Sequence, residues 1–295
     1  MHQSVLLKEI IEYLDPQPNQ NFVDATSGLG GHTFELLKYI KPKGKVLAID
    51  WHQAFTTALE GKAKEKGYNK RLIIHCGNFK EIDSIVEAYQ FEITGGILFD
   101  LGLNTDLLEH SGLGFSFLKD EPLDMRFNQD QELTAYEIVN FWPEKEIIRL
   151  LKNYGQEKFS FRIAKNIIAS RQKSKIKTTQ QLVQIILKSI PSKFKKSHLH
   201  PATRTFQALR IAVNDELINL EEAIPKALSA MIKGSRIAII SYHSLEDRIA
   251  KQTFRQFQKE GVCQILTPKP ICPTPEEIMV NPRARSAKLR VAQKL

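Results

Sequence analysis

Three glycines fall within four positions of the run "NFVDATSGLGGHTFELL" (residues 21–37), between a strand-like stretch and a helix-like one. A glycine turn there permits positive φ and brings a ligand against the backbone and the following helix N-terminus. Glycines alone leave open a tight packing turn, a dinucleotide, a phosphate or S-adenosylmethionine. The acids narrow the choice: Asp24 precedes the turn, Asp50 closes the next β-rich run and Asp100 closes a later one. Three carboxylates around one crevice would repel a pyrophosphate, and the Lys-Ser/Thr of a P-loop is missing. A sulfonium carrying a free α-amino group would be attracted, and Asp50 is placed to take two ribose hydroxyls. The residues therefore point to S-adenosylmethionine.

Short β-rich runs alternate with amphipathic ones around these residues. Strands are expected at 21–26, 45–50, 71–79, 95–102 and 235–243, with helical segments near 30–40, 52–66 and 81–90. Apolar residues on both strand faces, linked by crossover helices, imply an open, doubly wound parallel sheet with its ligand at the carboxyl ends of the strands. From about 105 to 210 only helix-like runs occur: "LTAYEIVNFW", "EKEIIRLLKNYG", "FSFRIAKNIIASR" and "TTQQLVQIILKSI". The expected organisation is a discontinuous domain, 1–105 plus 211–295, carrying a helical insert, 106–210. One long helix, "ALRIAVNDELINLEEAIPKALSAMI", should return the chain to the sheet and end at Gly234. A helix at 244–259 and edge strands in "VCQILTPKP" and "SAKLRVAQKL" complete it.

The 295 residues carry a net charge of +9, unevenly placed. Between Arg149 and Arg210 there are 15 Lys and Arg against the single acid Glu157, a local +14 that leaves the rest at −5. With Phe159, Phe161, Phe194 and His200 interleaved, this is either a solvated surface or the footprint of a phosphate backbone, and nucleic acid is the better account. His198 and His200 lack partnering cysteines, which favours RNA or backbone contacts over a metal. No apolar run approaches a membrane span, the N-terminus lacks signal-peptide features, and Cys76, Cys263 and Cys272 match no metal or redox spacing. A reduced, cytoplasmic protein without metal is expected.

Longer blocks closely resemble the RsmH (MraW) family of ribosomal RNA methyltransferases over nearly the whole chain. They are "HQSVLLKEII", "VDATSGLGGH", "GNF", "GFSFLKDEPLDMRFNQ", "HPATRTFQALRIAVNDEL" (200–217), "SYHSLEDRIAK" (241–251) and "KPICPTPEEIMVNPRARSAKLRVAQK". The resemblance implies a class I, Rossmann-like methyltransferase sheet with an inserted helical domain. It implies methyl transfer from S-adenosylmethionine to the exocyclic N(4) amine of a cytidine in the decoding region of bacterial 16S rRNA, within the small ribosomal subunit. Gly30, Gly31 and His32 match the family's cofactor turn, and Asp50, Phe79 and Asp100 its further cofactor contacts. Taken alone, His32 could cap its helix and Phe79 could be ordinary core.

A cytosine amine is a weak nucleophile, so an acceptor for its N–H is needed, and Asp100 and Asn104 in "DLGLNT" are the candidates. A flipped base could stack on Phe115 or Phe117 of "GFSF", although both would serve equally as core. Lys193, Lys195, Lys196, Arg204 and Arg210 are candidate RNA contacts, the arginines as bidentate phosphate donors. In "SYHSLEDR", His243, Glu246 and Asp247 read either as an acid/base cluster or as helix capping from Ser244. The sequence departs from the family at "DLGLNTDLLEH", where Leu107 takes the place of a glutamine near the cofactor and Asn104 and Thr105 replace a serine pair. "IDWHQ" likewise replaces the more usual Asp-Arg-Asp. Other readings stay open: a noncatalytic S-adenosylmethionine-binding RNA or ribosome assembly factor, or a cytosine methyltransferase of another nucleic acid. Oligomer formation is also left open.

Overall fold

A computed structural model describes residues 4–103, 108, 111–192 and 200–295. The chain divides into two compact units, residues 1–102 with 217–295, and residues 103–216. In chain order the elements are α1 (Leu7–Leu14), β1 (Phe22–Asp24), α2 (Gly31–Tyr39), β2 (Val46–Asp50), α3 (Gln53–Glu65), β3 (Leu72–Cys76), α4 (Ile82–Ala88) and β4 (Gly96–Asp100). Next come α5 (Ala135–Phe141), α6 (Glu144–Asn153), α7 (Ser160–Arg171), α8 (Thr179–Ser189), α9 (Thr203–Asn214) and α10 (Glu216–Ala230). The chain finishes with β5 (Arg236–Ser241), α11 (Ser244–Lys259), β6 (Cys263–Ile265), α12 (Pro275–Val280) and β7 (Lys288–Lys294).

The strands of the first unit form one seven-stranded sheet in the order β3-β2-β1-β4-β5-β7-β6. β1 to β5 are mutually parallel, and β7 runs antiparallel to both its neighbours. This is the class I, Rossmann-like arrangement. Strand alternation divides the core between two faces: Val23, Ile49, Ile97, Phe99 and Ile239 pack with α4, α10 and α11, while Phe22, Ala48, Leu98 and Ile240 pack with α1, α2 and α3. Apolar side chains on both faces explain why these strands read as continuous hydrophobic runs. Strand order reverses between β1 and β4, the switch point beyond whose carboxyl ends sheets of this kind bind their ligands. Asp24, Asp50 and Asp100 are the last residues of β1, β2 and β4.

The second unit is helical, and its helices begin where side-chain caps meet apolar periodicity. Thr134 accepts from the Glu137 amide, and Thr178 forms a capping box with Gln181. The single long helix expected to return to the sheet is instead two. Asp215, at φ +49°, ends α9 in the left-handed region. Asn214, fully buried, imposes the break: its amide donates to the Met125 and Arg210 carbonyls and its oxygen accepts from the Phe127 amide. β3 also stops early, at Cys76, because the Asn78 side chain accepts from the Lys80 amide and opens a 3-10 turn at Phe79–Glu81. Among the described residues no helix is long and apolar enough to cross a membrane.

Candidate functional site

The β1–α2 turn shows what its glycines are for. Gly28 and Gly30 hold φ of +50° and +86°, a region a side chain rarely tolerates. Gly31 opens α2 with ordinary backbone angles, but a Cβ there would collide with the Ser4 hydroxyl, so the N-terminal segment lies directly on the helix start. Gly30 is constrained by packing as well as by its backbone, since a Cβ there would collide with Leu59 and lie 2.7 Å from Phe34.

Asp50 stands behind the turn and accepts from the Gly28 amide at 2.7 Å and the His52 amide at 2.9 Å. Burial pushes its carboxyl up to about 6, against the two amide donors that lower it. Asp24, 1% exposed, takes the Thr33 hydroxyl at 2.6 Å, and burial raises its carboxyl despite that donor. Thr26 ties the strands together, its amide donating to Asp24 and its hydroxyl accepting from the Asp100 amide at 2.6 Å.

At the end of β4, Asp100 is 21% exposed and carries different neighbours on its two oxygens. Oδ1 accepts the Tyr242 hydroxyl at 2.8 Å, and Oδ2 lies 3.5 Å from His32 Nε2. Burial, with Asp100 next in effect, holds the Tyr242 hydroxyl well above its usual range, so it stays a donor.

Among the described residues, the buried polar atoms without a hydrogen-bond partner are unevenly distributed. Ser27 Oγ, both His32 ring nitrogens, His52 Nδ1 and Asn78 Nδ2 are such atoms; Ser27, His52 and Asn78 follow the carboxyl ends of β1, β2 and β3 by two or three positions, and His32 lies in the first turn of α2. Leaving a buried donor or acceptor unpaired costs about 1–3 kcal/mol, so a concentration of them at one strand edge calls for a polar ligand. A nucleoside carrying an amino acid tail supplies ribose hydroxyls, ring nitrogens, an ammonium and a carboxylate, which matches this mixed set. The residues present thus fit S-adenosylmethionine.

Of the residues expected from the sequence, Gly30, Gly31, His32, Asp50, Phe79 and Asp100 all lie at this strand edge. Phe79 does so from the 3-10 turn, with its ring edge-on to Phe99 at 5.6 Å, so it is partly core. Asn104, Leu107, Lys193, Lys195, Lys196 and His198 lie outside the described residues. Phe115 needs correction as a base-stacking candidate: it is 5% exposed and stacks on Phe127 at 5.4 Å inside the second unit. Phe117 stacks on His200 at 4.7 Å and meets Phe206 edge-on. Arg210 also needs correction. Its guanidinium is bidentate to Glu216 at 2.7 and 2.8 Å, with both side chains largely buried, so it serves the fold rather than a phosphate. Arg204 spends one nitrogen on the Gln156 carbonyl. On the same unit, the half-exposed Phe141 and Phe161 are each covered by a lysine, Lys175 at 4.0 Å and Lys152 at 4.2 Å.

The "SYHSLEDR" block caps a helix, shifted by one residue from expectation. His243 is the N-cap of α11, and the Glu246 carboxylate returns to the Tyr242 amide at 2.7 Å and the His243 amide at 3.2 Å. Asp247 pairs with Arg290 at 2.6 Å. Sequence reasoning missed Tyr242, Thr33, Thr26, Ser27, His52 and Asn78. Tyr242 had a signal, since it follows the strand that must lie beside β4; a hydroxyl or amide at a strand end carries none.

A family model described as the MraW methylase family matches residues 1–295. The chain is 45% identical over 295 residues to the ribosomal RNA small subunit methyltransferase H of Sulfurihydrogenibium azorense, covering 100% of this chain and 99% of that one. It is 44% identical over 310 residues to the protein of the same name from Halothermothrix orenii, covering 100% and 98%. A solved rRNA methylase from Streptococcus thermophilus superposes with a TM-score of 0.46 at 14% identity, covering 100% of this chain and 99% of that one.

Proposed function

The chain belongs to the MraW methylase family, and from that premise we propose that it methylates the exocyclic N(4) amine of a cytidine in the decoding region of 16S rRNA. The methyl donor is S-adenosylmethionine. The observation that carries the reading is the carboxyl edge of β1, β2 and β4, where three carboxylates end the strands and, among the described residues, Ser27 Oγ, His32 Nδ1, His52 Nδ1 and Asn78 Nδ2 lie buried without a hydrogen-bond partner. Asp50 would receive the ribose hydroxyls, and Gly28 and Gly30, at positive φ, shape the turn for close approach. The rRNA substrate is supported by the names of the full-length relatives and by the +14 stretch of the helical unit. Small ribosomal subunits as the particle, and a cytoplasmic location among them, belong to the same reading.

When bound, S-adenosylmethionine supplies an activated methyl on a cationic sulfur. The protein's part is alignment and charge placement. Asp100 offers a carboxylate oxygen to the N–H of the entering amine, whose nitrogen must release its lone pair from the ring before it can attack. Asn104, four positions after Asp100 in sequence, is a second acceptor in this reading. Lys193, Lys195, Lys196 and Arg204 hold the RNA backbone.

The decisive experiment incubates the protein with labelled S-adenosylmethionine and small subunits from a strain lacking the enzyme, then identifies modified nucleosides by nuclease digestion and mass spectrometry. N(4)-methylcytidine in the decoding region is the expected product. Label appearing only in tRNA or DNA would sink the ribosomal assignment. Leu107, standing where the family has a glutamine, favours one alternative: cofactor binding without turnover on any particle would make the chain an assembly factor.

A further inference from the structure

Tyr242, outside the residues assigned above, has the geometry to govern Asp100. It follows β5, which pairs with β4 in a register that sets Ile240 beside Asp100. Its ring lies against Gly102, where a Cβ would come within 2.6 Å of Tyr242 Cε2 and 2.7 Å of Cζ. Its backbone amide is held at 2.7 Å by Glu246, which pins the residue to the start of α11. The ionisable groups facing the pair are Glu246 from α11, Glu277 from α12, His32 from α2 and Asp24 from β1. Phenylalanine would fill the same space, so what the hydroxyl adds is one donor, and its partner is Asp100.

We propose that Tyr242 is a positioning residue for methyl transfer, its hydroxyl clamping Asp100 Oδ1 so that Oδ2 stays turned toward His32 and the glycine turn as the acceptor for the target amine. This rests on the reaction proposed above. The phenol keeps its proton throughout, and no bond to Tyr242 forms or breaks. A carboxylate at a strand end otherwise rotates freely about its last torsion, and each misoriented state is lost to catalysis.

The test compares the full-length protein with Tyr242→Phe on small subunits. kcat is expected to fall about 10- to 100-fold, the size of a lost hydrogen bond to a charged group. The KM and calorimetric Kd for S-adenosylmethionine should stay within about threefold, and Tm within a few degrees. Gly102→Ala keeps the hydroxyl but displaces the ring, and should lower kcat similarly, which preserves the test if Tyr242→Phe does not fold. A kcat within twofold of wild type overturns the proposal, as does a loss confined to cofactor affinity. Turnover by the unaltered protein judges the substrate reading separately. Independently of any substrate, the 13Cζ resonance of labelled Tyr242 should shift on Asp100→Asn, and an unmoved resonance also overturns the clamp.

Discussion

Asp50 is a carboxylate held at a cost, and its chemistry can be read from pH. Burial raises its carboxyl to about 6, above the ordinary 3.8, so the folded chain binds that proton more tightly than the unfolded one. Its contribution to stability is therefore fully present below the ordinary carboxylate range and is lost as pH rises through about 6. Hydroxyl donors favour the ionised form, which gives the ligand the opposite preference. Affinity for S-adenosylmethionine should rise between pH 5 and 7.5, with proton release near pH 6. Calorimetry in buffers of different ionisation enthalpy checks this, and a flat affinity would show that Asp50 does not face the ligand. Asp50→Ala also strands the Gly28 and His52 amides, and should weaken binding about 10- to 100-fold at pH 7.5, as 1.5–3 kcal/mol for charged hydrogen bonds implies. At this scale the sequence was informative about acids and glycines, whose roles follow from charge and backbone freedom. It was silent on Ser27, His52 and Asn78, because an unpaired buried donor is a property of surroundings, not of residue type. Arg210 and Phe115 misled for the same reason: Glu216 and Phe127 claim them through contacts that local sequence does not show.

Among the elements, the strand-turn-helix unit at β1 and α2 is braced by a segment from outside the sheet. Gly31 has helical backbone angles that alanine would adopt readily, so any penalty must come from the Ser4 hydroxyl against the added Cβ. Gly31→Ala should destabilise the protein by about 1–3 kcal/mol, read as a lower Tm, and weaken cofactor binding. Adding Ser4→Ala should restore most of both, since the Ser4 Cβ would lie 3.3 Å from the new methyl group. No recovery in the double variant would mean that the turn, not the brace, is what alanine disturbs. The seven strands lay within or beside the runs that apolar periodicity marked, because strands buried on both faces leave an unbroken signature. The break at Asp215 escaped notice because α9 and α10 are both amphipathic. What separates them is Asn214 binding the backbone of Met125 and Phe127, nearly ninety positions away in sequence. Capping at His243 was off by one residue for a simpler reason: serine is the commoner cap, and here a histidine ring nitrogen accepts from the Glu246 amide instead.

Across the whole molecule, charge and chemistry are divided between two units of one chain. The acid-lined strand edge belongs to one, and the whole of the +14 stretch to the other. Neutralising Lys193, Lys195 and Lys196 together should weaken RNA binding and flatten the dependence of log K on log salt by about 2, at roughly 0.7 per phosphate contact on single strands. Filter binding between about 50 and 200 mM salt measures the slope, and an unchanged slope would move the RNA contact elsewhere on the chain. The helical unit was legible as an insert because strand-like runs cease between β4 and β5, whereas which of its cations face solvent depends on helix packing.

The interruption of the sheet also sets a timetable for synthesis. β4 is a central strand, flanked by β1 and β5, yet its second partner begins only at Arg236, after the whole helical unit has been made. At about 5–20 residues per second, a four-stranded half sheet would wait on the order of ten seconds with one edge of β4 uncovered. A long apolar edge is a template for wrong pairing. Newborn chains of this protein should thus pass through an interval of heightened aggregation risk that a permuted chain, with β5 encoded directly after β4, would avoid.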